Sequence, residues 1–178
     1  MNRISPNAAP AAKSAAPVGK ILAIDYGRVR IGLAIAESPQ GLAQPLATLE
    51  RINRNEDMRR LRELAGQHSV KLIVVGLPLR LDGTRGDMAE ETERFAQRIR
   101  KQIGVPVEMA DERLTSWEAE RQLEEQFGRR SKIAESSSSK KKNTEKFSVD
   151  SMAAAILLRE YLEKTHAVPE NLAPDEAR

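Results

Sequence analysis

Four acidic side chains mark the places in this 178-residue sequence where chemistry could be done. Asp25 closes the apolar run Ile21-Leu-Ala-Ile24, Asp111 and Glu112 follow a short apolar stretch over 107–110, and Asp150 stands in the first turn of a helical stretch over 149–164. Carboxylates gathered in one cleft repel one another and lose solvation, so they stay ionised only beside a compensating cation or basic side chain. Hard divalent ions such as Mg²⁺ or Mn²⁺ prefer such oxygen ligands. Two of these ions roughly 4 Å apart can activate an attacking water and stabilise a departing oxygen. Each acid also has a plainer reading. Asp25 can open an Asp-Tyr-Gly turn, Glu112 can pair with Arg113, and Asp150 can favour the positive end of its helix, with Ser148 as the cap. Joint placement at the ends of elements is what favours the site.

The basic residues are local rather than global. Net charge is only +3, yet the segment from Phe127 to Phe147 holds Arg129, Arg130, Lys132, Lys140, Lys141, Lys142 and Lys146 against Glu135 and Glu145, a balance of +5 that leaves −2 elsewhere. A Ser/Lys tract of this kind is either a solvated flexible loop, expected over 129–146, or a phosphate clamp giving sequence-blind affinity for a polyanion. Arg28 and Arg30, in the turn after Asp25, are better placed to hold a phosphate of a strand lying over the acids. Arg113 can do the same or orient Glu112, and structural ion pairing is the alternative for all three.

Other chemistries lack their marks. The chain has no cysteine, which removes disulfides and thiolate metal sites and suits a cytoplasmic home. Residues 1–20 have no apolar core of a secretory signal, and no run approaches the roughly 18 apolar residues of a membrane span. No Gly-Lys-Ser/Thr phosphate loop is present. His68 and His166 have no partner at ligand spacing and are expected to be ordinary surface residues. With one Trp, two Tyr and three Phe, a base-stacking platform is not expected. Trp117 can stack a nucleotide or pack its own helix.

The elements that must position these residues follow from periodicity. The apolar run before Asp25 predicts a strand buried on both faces. Residues 30–36 alternate Ile31, Leu33 and Ile35 with Gly32, Ala34 and Ala36, a strand with one bulky and one unusually small face. A third strand is expected near 46–49, a helix over 55–68, a buried strand over 72–76, and a helix carrying Met88, Thr92, Phe95, Ala96, Ile99 and Ile103. A strand over 107–110 and helices over 115–126 and 149–164 complete the order. Gly27 is expected to serve a turn, and Gly32 and Gly76 close packing or substrate approach. Three leading antiparallel strands followed by parallel ones describe an α/β fold, a mixed five-stranded sheet flanked by helices. We expect one domain over 20–165, with unstructured tails over 1–19 and 166–178.

The stretch Ile24-Asp-Tyr-Gly-Arg-Val-Arg-Ile-Gly-Leu-Ala34 resembles the opening motif of the YqgF family, also called RuvX. Three further motifs arrive in that family's order: Val75-Gly-Leu-Pro78 with Asp82-Gly83 behind it, Asp111-Glu-Arg-Leu-Thr115, and Asp150-Ser-Met-Ala-Ala154 with Ile156-Leu157 and Tyr161-Leu162 after it. The resemblance covers roughly residues 20 to 162, and the tract Ser136-Ser-Ser-Ser-Lys-Lys-Lys142 departs from it. It implies an RNase H-like fold and a metal-dependent nuclease that matures the 5′ end of 16S ribosomal RNA, in a family long described as candidate Holliday junction resolvases. Its acidic site carries over to Asp25, Glu112 and Asp150, with Asp111 as an auxiliary and Mg²⁺ or Mn²⁺ as the ion. The expected partner is structured RNA such as precursor rRNA, or branched DNA if the chain is a resolvase, which would need a dimer; both monomer and weak dimer stay open. A non-catalytic ribosome-assembly factor is the reading from another class, and intact carboxylates argue against it.

Overall fold

A computed structural model describes residues 19–38, 41–80, 82–111 and 148–166. Ile21 to Ile24 are wholly buried because β1 (Gly19–Tyr26) is the middle strand of a five-stranded sheet. The other strands are β2 (Arg30–Ser38), β3 (Gln44–Glu50), β4 (Val70–Leu77) and β5 (Val107–Asp111), in the spatial order β3-β2-β1-β4-β5. Pairings of β1 with β2 and of β2 with β3 are antiparallel, and those of β1 with β4 and of β4 with β5 are parallel. This is the expected α/β, RNase H-like arrangement. β3 is longer than the 46–49 core of its apolar pattern because it pairs with β2 back to Gln44, past a register shift at Leu33/Ala34. Its Pro45 is tolerated because β3 lies at the sheet edge.

Among the described residues, three helices cover the two faces. α1 (Arg54–Gln67) starts at Asn53, whose Oδ1 accepts from the N–H groups of Asn55 and Glu56 at 3.1 and 3.0 Å. α2 (Asp87–Ile103) stops at Gly104, which adopts the left-handed φ of 77° that favours glycine. Both pack on one face, where Leu22, Ile24, Ile31, Leu33, Ile73 and Val75 meet Met58, Leu61, Phe95 and Ile99. α3 (Val149–His166) covers the other face alone among the described helices, lying over Ile21, Ala23, Ala34, Ala36, Leu72 and Val74. The small residues foreseen in β2 are thus the floor under α3.

The described elements begin at Gly19, which pairs with Ser38, and end at His166 in the last turn of α3. Residues 1–18 and 167–178 of the expected tails, the helix over 115–126 with Trp117, and the basic tract over 129–146 lie outside the described residues. No described helix is long and apolar enough to cross a membrane.

Candidate active site

Alternation along β1 sends Ile21 and Ala23 toward α3, and Asp25 follows them onto that face at the carboxyl end of the strand. In open α/β sheets this end is where ligands bind. Across the ladder Asp25 lies opposite Gly32, and Gly32 opposite Thr48. On the parallel side the register runs Ile24 to Val75 and Gly76 to Ala110, so glycines flank Asp25 on both neighbouring strands.

Gly32 decides where α3 starts. A Cβ at this position would stand 1.9 Å from the carbonyl oxygen of Asp150, a contact no side chain can make. The expectation of close packing at Gly32 is therefore met by the helix itself. Ser148 fixes the same turn: its Oγ accepts from the Ser151 N–H at 3.2 Å, its carbonyl accepts from Met152 N–H at 3.1 Å, and its hydroxyl meets that of Thr48 on β3. The capping reading of Ser148 was legible; the Thr48 partner, 100 residues away, was not. Gly27 closes the β1–β2 turn by donating its N–H to Arg30 O at 2.9 Å, and a Cβ there would crowd that same oxygen at 2.7 Å.

Asp25 and Asp150 come together from these two elements. Burial of Asp25, and then the Asp150 carboxylate beside it, push the Asp25 carboxyl up to about 6. Asp150 Oδ2 is buried and, among the described residues, accepts no hydrogen bond; the Arg30 guanidinium faces it with Nη1 at 3.8 Å. Two adjoining carboxylates, one with an oxygen that no described residue hydrogen-bonds, can take a further positive charge. The donor set, all hard oxygen, fits a divalent cation. Among the described residues no group of three or more acidic or histidine side chains is close enough to hold a metal by itself. The third expected ligand, Glu112, lies outside the described residues, as do Arg113, Arg129, Arg130, Lys132, Lys140, Lys141 and Lys142.

Asp111 behaves differently from Asp25. Along β5, Val107 and Met109 pack toward α1 and α2, while Ala110 packs beneath α3 and Glu108 accepts from the Tyr161 hydroxyl at 2.8 Å. Alternation gives Asp111 to the α1/α2 side. Arg28 and Arg30 stand at the site edge with more than half of each side chain exposed, Arg28 pairing with Glu91 on α2 at 3.4 Å.

One residue of the site edge escaped the sequence reading. Arg51, just past β3, reaches back to the β1–β2 turn and is anchored by the buried Asp57 at 3.2 Å. Nothing in the local pattern distinguishes it from the many arginines nearby; its partners are set by the sheet.

With this geometry in hand, the chain can be set beside known proteins. A family described as RuvX: Holliday junction resolvase matches residues 19–164. A candidate pre-16S rRNA nuclease of Koribacter versatilis is 42% identical over 147 residues, covering 82% of this chain and 88% of that protein. One from Anaeromyxobacter sp. strain K is 39% identical over 145 residues, covering 82% and 97%. The solved structure of Thermus thermophilus RuvC shares the fold at a TM-score of 0.51 and 13% identity, over 82% of this chain and 96% of that one.

Proposed function

The chain belongs to the RuvX family, and from that premise we propose that it is a metal-dependent phosphodiester hydrolase processing the 5′ end of precursor 16S rRNA. The observation that carries the reading is the meeting of Asp25 and Asp150, from opposite parts of the chain, around a buried oxygen that no described residue hydrogen-bonds. We take Mg²⁺ or Mn²⁺ as the ion they hold. When bound, such an ion supplies positive charge both to an attacking water and to the departing oxygen. Asp25 and Asp150 would hold it from the end of β1 and the start of α3. Glu112 joins them as the third ligand on the strength of its sequence motif, Asp111-Glu-Arg-Leu-Thr115. We give Asp111 no ligand role, because alternation along β5 turns it toward α1 and α2.

Arg28 and Arg30 hold phosphates of the substrate backbone. Both arginine side chains are more than half exposed, and their carboxylate partners stand at 3.4 and 3.8 Å, so a phosphodiester competes with them readily. Arg113, Arg129, Arg130, Lys132, Lys140, Lys141 and Lys142 extend those contacts on grounds of charge.

The test is cleavage of precursor rRNA with and without divalent ion, by the parent and by Asp25→Asn. We expect cleavage only with the ion, and a loss of at least about a thousandfold in the folded variant. Parental rates from Asp25→Asn would remove the acidic site from the mechanism. The family's description favours a second reading, a branched-DNA resolvase; preferential cleavage of a four-way junction over precursor rRNA would select it.

A further inference from the structure

The turn that carries Arg28 and Arg30 is clamped far more firmly than a surface hairpin needs. Arg51 N–H donates to Val29 O at 2.9 Å, and its Nη1 donates to Gly27 O at 3.2 Å and Arg28 O at 3.3 Å. The other side of the same guanidinium donates through Nε to Asp57 Oδ2 at 3.2 Å. Asp57 is 2% exposed, and its second oxygen accepts from Ile52 N–H at 3.1 Å. The Arg51 guanidinium also lies 4.6 Å from the centre of the Tyr26 ring, which itself leans on Phe95 of α2. One buried-end fork thus ties the turn to β3, to α1 and to the aromatic pair.

The contrast lies in what the turn presents. Its backbone carbonyls are held, while the two arginine side chains that leave it are 63% and 56% exposed and only loosely paired. Phosphates along a nucleic-acid strand have fixed spacing, so two cations bind them better when their own separation is set in advance. A planar guanidinium spreads its donors over separate nitrogens and here reaches a carboxylate through one and two carbonyls through another; an ammonium has its three donors on a single nitrogen and lacks that span.

We propose that Arg51 is a positioning residue for the substrate: it holds the 27–30 turn so that Arg28 and Arg30 meet the phosphodiester backbone as a preset pair. This rests on the proposed nuclease function, and specifically on Arg28 and Arg30 as phosphate contacts. Arg51 touches neither the substrate nor the acids.

Arg51→Lys in the full chain keeps the charge and removes the fork. Affinity for a labelled precursor-rRNA fragment is measured in EDTA across a series of salt concentrations, where cleavage does not intervene. We expect Kd to rise about tenfold and the salt slope to become shallower, because fewer phosphates are neutralised together. With Mn²⁺ restored, the rate at saturating RNA stays within about threefold of the parent's, and Mn²⁺ binding by calorimetry is unchanged. A parental Kd and salt slope, at whatever melting temperature, would make Arg51 a structural residue and overturn the proposal. If Arg51→Lys does not fold, Asp57→Asn loosens the same clamp from its buried end, with the same two outcomes. A parent that binds RNA yet cuts nothing with Mn²⁺ or Mg²⁺ would defeat the nuclease reading instead, leaving the binding comparison intact.

Discussion

The two faces of the sheet are built on opposite plans. Toward α1 and α2 the strands offer Leu22, Ile24, Ile31, Leu33, Ile73 and Val75, and the helices answer with Phe95, Met58, Leu61 and Ile99. Large side chains interdigitate there, and distance between helix and sheet is set by their volume. Toward α3, β1 and β2 offer Ala23, Ala34, Ala36 and Gly32 beside the larger Ile21, and α3 brings Ala154 and Ala155 among its larger Leu157 and Leu158. The helix sinks until backbone meets backbone. Side-chain packing tolerates some repacking, whereas contact through Gly32 tolerates none, so the acidic pair is placed by the less forgiving of the two faces. Stability can be sought on one side and precision on the other.

Breaking the α3 face should therefore have the largest effect on activity. Gly32→Ala puts a methyl where the Asp150 carbonyl now lies, and the start of α3 must move by more than an ångström. A misplacement of that size costs on the order of a hundredfold in rate, with a smaller loss of stability from overpacking. Single-turnover cleavage per folded molecule measures it; a parental rate would show that Asp150 is not held by this contact.

Breaking the opposite face should do the reverse. Phe95→Ala empties a fully packed position between Tyr26 and the α1 side chains. We expect a loss of about 3–5 kcal/mol in denaturant unfolding, while the rate of the molecules that remain folded stays near the parent's. A drop in that rate as large as the one from Gly32→Ala would erase the distinction between the faces.

The last prediction sharpens the comparison through pH. Asp25 binds its proton up to about pH 6 in the folded chain and only to about 3.8 when unfolded. Between those values the native state holds more protons, so stability falls as pH rises through the window and remains lower above it. Asp25→Asn should flatten this dependence and melt higher than the parent at pH 7.5. A divalent ion binds the ionised form, so Mn²⁺ well above its dissociation constant should raise the parent's melting temperature by about 5 °C at pH 7.5 and much less at pH 5. Equal shifts at both pH values would place the ion elsewhere.

Much of the molecule was legible in advance because it rests on short-range pattern. The apolar run before Asp25, the large–small alternation of β2 and the three- and four-residue steps of α2 each announce an element, since burial of one face is a local property of strands and helices. Four motifs in order then identify the family, and Asp25 and Asp150 emerge as candidates from their positions at element ends. The cap at Ser148 was equally visible. The sequence could not show that Gly32 touches Asp150 rather than a ligand, since 118 positions along the chain separate two atoms that the sheet and helix bring together. Nor could it separate Asp111 from Asp25, which differ by the parity of two strands whose register is set only on pairing. Arg51 was hidden for the same reason: its three backbone carbonyl partners and its one carboxylate partner belong to a turn and a helix that meet it only once β3 has docked beside β2. Composition and periodicity determine which residues are buried and which segments form elements; which functional groups face each other is a matter of long-range register and helix depth, and those are decided by packing.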